Sequence, residues 1–294
     1  MSLYETIVKR SLIDKGWSGD YKYCAETADG RKFLLRISPP DRAHRVSKCF
    51  ENMQRVSTLG IPMCQALETG ECQEGRYVLL RWIDGVDAES YIPRLPRERQ
   101  YAYGLDAGRI LGKIHTLPAP EEPAPWAARF GAKMDRKISQ YLGCDRKYEN
   151  GNCIVDFLRN NRNLLSDRPQ CYQHGDYHIG NMMVDSEGVL TIIDFDRDDH
   201  GDPWEEFNRI VWCAQASPAF AAGMVDGYFE GDVPMDFWKL LALYIGSNCL
   251  SSLPWAIPYG EKQIKVMCDQ AADILQWYDN MQNPIPTWYH FWNV

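Results

Sequence analysis

The sequence contains no run of about eighteen apolar residues, so no membrane-spanning helix is expected. Its opening, MSLYETIVKR, has no long apolar stretch, so no secretory leader is expected either. There are ten cysteines but no C-x-x-C pair. That argues against a zinc site or disulfide framework and for the reduced, mostly structural thiols of a cytoplasmic protein. Basic residues are short: 32 Lys and Arg face 40 Asp and Glu, a net charge of -8. A nucleic-acid partner is therefore not expected. No G-x-G-x-x-G, repeat or low-complexity tract is visible. The 294 residues, 45% hydrophobic and 24% charged, have an ordinary globular composition and suffice for two lobes.

What is present is concentrated in residues 171–202, CYQHGDYHIGNMMVDSEGVLTIIDFDRDDHGD. Apolar residues alternate or run continuously over 181–185 and 189–195, with Glu187-Gly188 between them. A short β-hairpin is expected there. It gathers Asp176 in the preceding loop, Asn181 at the first strand's start and Asp194 at the second strand's end. An aspartate can orient a hydroxyl and accept its proton. An amide oxygen and a second carboxylate can hold Mg2+ against nucleotide phosphates. Asp and Asn also favour turns without any chemistry. Two motifs in the right order on a strand–turn–strand weigh against coincidence.

At these residues the chain resembles the aminoglycoside phosphotransferase family, whose pattern is H-G-D-x4-N followed by I-D. Here it stands as His174-Gly175-Asp176, Asn181 and Ile193-Asp194. Protein kinases carry H-R-D and D-F-G; this chain has Gly175 and Asp194-Phe195-Asp196 and lacks A-P-E, so a protein kinase is disfavoured. The resemblance implies an α+β, two-lobed, protein-kinase-like fold. A sheet-rich N-lobe with one main helix would span 1–83, and a larger helical C-lobe carrying the catalytic hairpin would span 84–294. It further implies transfer of the γ-phosphoryl group of ATP or GTP to a substrate hydroxyl. Asp176 would be catalytic, with Mg2+ on Asn181 and Asp194. His174 would fix the loop, Asp196 would assist the metal or orient Asp194, and Glu206 would brace the catalytic loop.

Along the chain, residues 4–11 are expected to form a short helix. Strands are expected near 21–25, 32–37, 62–69 and 76–83, and a helix over 41–59 with Val46, Phe50, Met53 and Val56 on one face. The loop GWSGD offers Ser18 and Gly19 as a nucleotide cover. FLLRI puts Arg36 where the resembling fold has a phosphate-binding lysine, a departure that an always-charged, forked guanidinium can fill. The resemblance would pair Arg36 with Glu51 and use the backbone of Arg81, Trp82 and Ile83 to hold the nucleotide base. Beyond the hinge the pattern is helical, including 203–215, with Asp202 as N-cap and Pro203 at the first position.

Six acids crowd 196–206, among them Asp198, Asp199 and Glu205, which are candidates for binding amines or are simply solvated. An acidic surface suits a small, hydroxylated, cationic acceptor such as an aminoglycoside, implying antibiotic resistance, and equally suits solubility. Choline, homoserine, sugars and macrolides are alternative acceptors in similar sequences. A catalytically weak nucleotide-binding protein is the alternative of another class. Sequence leaves the oligomeric state open.

Overall fold

The computed structural model describes residues 2–14, 19–120 and 122–290. In chain order the strands are β1 (Ile7–Leu12), β2 (Tyr21–Thr27), β3 (Lys32–Ser38), β4 (Ala66–Cys72), β5 (Gly75–Arg81), β6 (Gly85–Asp87), β7 (Cys171–Gln173), β8 (Met182–Asp185), β9 (Leu190–Ile192) and β10 (Asp199–Gly201). The helices are α1 (Ala43–Ser57), α2 (Ala88–Tyr91), α3 (Arg97–Ile114), α4 (Trp126–Leu142), α5 (Gly151–Asn160), α6 (Ile210–Ala216), α7 (Pro218–Phe229), α8 (Met235–Ala256), α9 (Glu261–Trp277) and α10 (Thr287–His290). This is the expected mixture of a small antiparallel sheet and a larger helical part.

Contacts divide the chain into two units. The first is Met1–Ala88 with Asn181–Asp198; the second is Glu89–Gly180 with Asp199–Val294. The first holds a five-stranded antiparallel sheet in the order β1-β2-β3-β5-β4. Alternation aims Ala25, Phe33, Leu35, Ile37, Tyr77 and Leu79 at one buried cluster. A fully buried Leu or Ile there contributes about 1.5–3 kcal/mol. α1 lies against β4 and β5 and buries Val46, Met53 and Val56.

The expected helix over 4–11 is instead a 3-10 turn, Tyr4–Thr6, followed by β1. The free edge of β2 takes this segment, pairing Arg10 with Ala25 and Leu12 with Tyr23. Tyr4 stacks on Tyr77 with ring centroids 4.2 Å apart, and Glu68 accepts the Leu3 and Tyr4 N–H groups. The segment has no apolar helical stripe to bury, so the sheet edge wins.

The expected hairpin forms, β8 pairing with β9. Its turn is closed by Asp185 Oδ1, which accepts the Glu187 and Val189 N–H groups. The sequence reading placed this hairpin in the second lobe, with a boundary at 83. The structure groups it with the first unit, because β6 pairs with β8 (Val86 opposite Val184) and Ile192 exchanges backbone bonds with Pro62 and Cys64.

The second unit is mainly helical. Segment Met235–Tyr259 is long and apolar enough to cross a bilayer by composition, but 67% of its most apolar window is buried. Phe237, Leu241, Leu243, Leu250 and Leu253 are buried, the pattern of a core helix. All ten cysteines are free.

A helix starting at Pro203 does not form. Residues Glu205–Arg209 make a 3-10 helix that leads into α6. Asp202 is buried and receives Arg168 in a fork, Nε to Oδ2 at 2.6 Å and Nη2 to Oδ1 at 3.0 Å. It also accepts Tyr244 Oη at 2.6 Å and the Trp204 N–H at 2.9 Å. That set of donors holds the chain in a turn where an N-cap would have started an α-helix.

Candidate active site

In the first unit, the hairpin's open end sets Asn181 beside Asp194. The Ile193 N–H donates to the Asn181 carbonyl at 3.0 Å, so the two side chains start from paired backbone. Asp194 has φ of +67°, an uncommon conformation for a residue with a side chain and one that clusters at functional sites. Arg36 on β3 reaches both acids. Its Nη1 lies 3.2 Å from Asp194 Oδ1, its Nη2 donates to Asp196, and its Nε donates to Asp20. Burial alone would lower the Arg36 pKa, but Asp196, then Asp20 and Asp194, raise it.

The two acids of the pair move apart. Burial, then the neighbouring Asp196, raises Asp194. Burial would raise Asp196 too, but Arg36 outweighs it and holds that carboxyl below its usual range. One guanidinium is thus shared among three carboxylates, and this hard-oxygen set has room electrostatically for a further cation. Mg2+ fits such a set, since it takes one or two carboxylates and completes its shell with phosphates and water. Among the described residues no group of three or more His, Cys, Asp and Glu is built to hold a metal by itself.

The expected partner of Arg36, Glu51, is exposed on α1 and is not brought to it. Helical geometry explains this: the face of α1 toward these acids carries Cys49 and Asn52, one turn apart. Cys49 Sγ donates to the Phe195 carbonyl, and Asn52 donates to Asp198 at 2.6 Å. Burial pushes the Cys49 thiol up to about 12. Asp198, an amine-binding candidate, is therefore tied to α1. Gly19 lies against the guanidinium of Arg42, close enough that a Cβ there would overlap it. Ser18 lies outside the described residues. The Arg81 N–H is already given to the Gln65 carbonyl at 2.8 Å, and Trp82 and Ile83 follow the end of β5.

In the second unit, Asp176 stands in a loop that is held from several sides. His174 is fully buried and its Nδ1 accepts the Asp176 N–H at 3.3 Å. Gly175, with φ of +85°, turns its N–H to both oxygens of Glu206, at 2.9 and 3.2 Å. Burial would raise Glu206, but His115, then His174 and the Gly175 N–H, hold it below its ordinary value. Tyr177, next in the loop, donates to the Ala107 carbonyl at 2.7 Å. The Asp176 carboxylate faces Arg209, whose Nε is 3.2 Å from Oδ1, and His178, whose Nε2 is 3.7 Å from the same oxygen.

The other two amine-binding candidates are also engaged. Asp199 is exposed on β10, with Arg129 Nη2 3.7 Å away. Glu205 receives Lys133 Nζ at 3.3 Å and Gln173 Nε2 at 3.3 Å. Sequence reading missed Asp20, Arg209, Lys133 and Lys137. Asp20 sits in the G-x-x-G-D loop before β2, while Arg36 lies on β3, and no local signal singled Asp20 out over Glu51. Arg209 closes the 3-10 helix Glu205–Arg209, where a spacing of four does not share a face, and only the fold brings it to Asp176.

No curated protein sequence matches the chain. Solved structures match it over nearly their whole length. A thermostable mutant of aminoglycoside phosphotransferase APH(4)-Ia, in ternary complex with AMP-PNP and hygromycin B, has 17% identity and a TM-score of 0.68, covering 93% of this chain and 95% of that one. A choline/ethanolamine kinase family protein from Mesorhizobium loti has 14% identity and a TM-score of 0.65, covering 93% and 91%. The GDP complex of an aminoglycoside 2'-phosphotransferase-IIIa mutant has 13% identity and a TM-score of 0.66, covering 95% and 94%. At these identities the likeness establishes a shared fold. The sequence profile of the APH phosphotransferase enzyme family matches residues 9–238, and by that match the chain belongs to this family of kinases.

Proposed function

We propose that the chain transfers the γ-phosphoryl group of ATP or GTP to a hydroxyl of a small acceptor. The observation that carries this is the spacing Asp176-x4-Asn181, with Asn181 paired across the hairpin to the residue before Asp194. The terminal P–O bond of the donor breaks, a P–O bond forms at the acceptor oxygen, the hydroxyl proton passes to Asp176, and a nucleoside diphosphate leaves. Asn181 and Asp194 would hold Mg2+, which when bound neutralises phosphate charge. Arg36 supplies positive charge to the phosphates and keeps Asp194 and Asp196 in place. Gly19, and Ser18 beside it, would cover the nucleotide, and the backbone of Trp82 and Ile83 would hold its base. His174 and Glu206 fix the loop that presents Asp176. Positioning and electrostatics supply most of the rate.

An aminoglycoside acceptor, with the resistance it would confer, is supported by the activities named for the neighbouring structures. A metabolic acceptor is supported by a specific observation, the cations Arg209 and Lys133 beside Asp176 and Glu205. A cytoplasmic setting belongs to the same reading and is supported by ten free thiols.

The test is nucleoside diphosphate release with Mg2+, ATP or GTP and a panel of hydroxyl compounds, run beside Asp176→Asn. Loss of a general base costs about 10²–10⁴-fold in kcat, and nucleotide binding should survive the change. Nucleotide binding without any transfer that depends on Asp176 would sink the kinase reading and leave a nucleotide-binding protein.

A further inference from the structure

Within the second unit two side chains converge on one oxygen of Asp176. They bear on how that carboxylate works, given the kinase reading on which this step rests. Arg209 Nε lies 3.2 Å from Asp176 Oδ1, and His178 Nε2 lies 3.7 Å from the same atom. Oδ1 is buried, while the Asp176 side chain as a whole keeps 15% of its exposure, so none of that exposure belongs to Oδ1. The two oxygens of this carboxylate are therefore not equivalent.

The ring of His178 is fixed in one tautomer. Its Nδ1 receives the Gly180 N–H at 3.1 Å. A backbone N–H only donates, so Nδ1 carries a lone pair. The neutral ring then holds its proton on Nε2, the nitrogen that faces Asp176. His174 repeats the arrangement two residues before Asp176, its Nδ1 receiving the Asp176 N–H at 3.3 Å. Gly180 permits the turn around His178: a Cβ there would stand 2.8 Å from His178 Cε1 and 3.0 Å from Nδ1. Glu89 is the other acid beside this turn, its Oε2 3.7 Å from the same point. Since Nε2 already holds a hydrogen and Nδ1 is engaged, His178 is no relay for a proton leaving Asp176. It offers that carboxylate an N–H. At 3.7 Å the approach is longer than a hydrogen bond, and contacts of this kind tighten once substrate fills a site.

We propose that Asp176 divides its two oxygens: Oδ1 is held by the Arg209 guanidinium and the His178 Nε2–H, and Oδ2 takes the proton of the acceptor hydroxyl as the new P–O bond forms. His178 and Arg209 are positioning residues. Two donors on one oxygen fix the rotation of the carboxylate. A base held in line spares the reaction the entropy of finding that geometry.

Substitutions at His178 separate the work of its two nitrogens. His178→Asn keeps an acceptor where Nδ1 stands and offers nothing at Nε2. His178→Gln keeps an N–H where Nε2 stands and offers nothing at Nδ1. His178→Ala removes both. Each is assayed for nucleoside diphosphate release with MgATP and MgGTP, with kanamycin, choline, homoserine and glucose as acceptors and water alone as reference, beside Asp176→Asn. His178→Ala and His178→Asn should lower kcat about tenfold to a hundredfold, with KM for nucleotide and acceptor moved far less. His178→Gln should recover most of the lost kcat, and Arg209→Met should lower kcat in the same way. Recovery by His178→Asn but not by His178→Gln would show that His178 only braces the turn at Gly180, and it overturns the proposal. Equal loss in all three variants, or loss in none, overturns it too. The tautomer is read without turnover. Long-range proton–nitrogen correlation spectra with isotope-labelled histidine, His178 being assigned by its absence from His178→Gln, should show a protonated Nε2 and a bare Nδ1 at neutral pH. A proton on Nδ1 overturns the proposal whatever the kinetics. A protonated Nε2 without any turnover that depends on Asp176 overturns the kinase reading, and the role of Oδ2 with it, and leaves the ring assignment standing.

Discussion

A buried carboxylate is retained only when something compensates its desolvation, and Glu206 shows what does so here. Its two oxygens take the Gly175 N–H, and His115 Nε2 approaches Oε2 to 3.9 Å. The folded pKa lies below the ordinary 4.5. The stability this carboxylate contributes is therefore fully present above pH 4.5 and is lost as pH falls through its lower folded value. Glu206→Gln keeps the shape and one acceptor but removes the charge. It should cost about 2 kcal/mol at pH 7, the range for a hydrogen bond to a charged group. The gap to the unmodified protein should close on acidification below pH 4.5. Denaturant titrations at pH 7 and pH 3.5 check this; a gap that widens in acid would rule out the charge as the cause. Glu206 was singled out of a crowded acidic run by the family resemblance and by no local pattern of its own. The partners of Asp202 were not readable. Arg168 lies 34 residues away in sequence and Tyr244 42 away, and no local pattern announces a fork between such positions. The same holds for Arg36, where helix and loop each offered an acid, Glu51 and Asp20, and only tertiary packing selects Asp20.

Elements met their expected positions where the apolar pattern was long and uninterrupted, as in β3 and β5. They departed where a short segment had two options: residues 7–12 became an edge strand because β2 had a free edge to fill. What periodicity does not show is how closely two helices approach. α3 and α7 touch backbone to backbone through Gly104, Gly108, Gly223 and Gly227. A Cβ on Gly104 would overlap the Phe220 carbonyl, and one on Gly223 would overlap that of Tyr101. Small residues spaced by four permit such an approach. By helix propensity alone, Gly→Ala would stabilise by about 1 kcal/mol. At Gly223 the sign should reverse, because the two helices must separate, with a net loss of about 2–3 kcal/mol. Gly112 on the same α3 is the control: its nearest neighbour would be the Tyr228 ring at 3.8 Å, an ordinary contact. Gly112→Ala should be neutral or stabilise by up to about 1 kcal/mol. Equal effects at the two sites in urea unfolding would refute the close-approach argument. The consequence reaches function, since the Ala107 carbonyl on α3 anchors Tyr177, the residue after Asp176.

At the scale of the whole chain, a boundary at residue 83 reads naturally, because the strand-rich pattern ends there and helices begin. Contacts group the chain in a different way. The chain leaves the first unit after Ala88 and returns at Asn181 to add β8 and β9. Sequence shows the hairpin but not the sheet it joins, since strand pairing across about a hundred residues has no local signature. The returning hairpin buries Met182, Val184, Leu190 and Ile192. At about 1.5–3 kcal/mol each, their burial is on the order of the whole stability of a small domain. It also supplies two of the three carboxylates around Arg36 and the backbone partners of Pro62 and Cys64. A fragment ending at residue 90 lacks all of these and should show no cooperative thermal transition. The exit and return points are adjacent, for Asp87 lies opposite Met183 in the antiparallel β6–β8 pair. A turn of about five residues should therefore join 1–88 directly to 181–198. That joined fragment should unfold in one cooperative transition by circular dichroism, with strand signal retained. Cooperative unfolding of the 1–90 fragment by itself would show that the hairpin is dispensable to the unit. A joined fragment that stays unfolded would show that the sheet and hairpin do not suffice without the helical remainder.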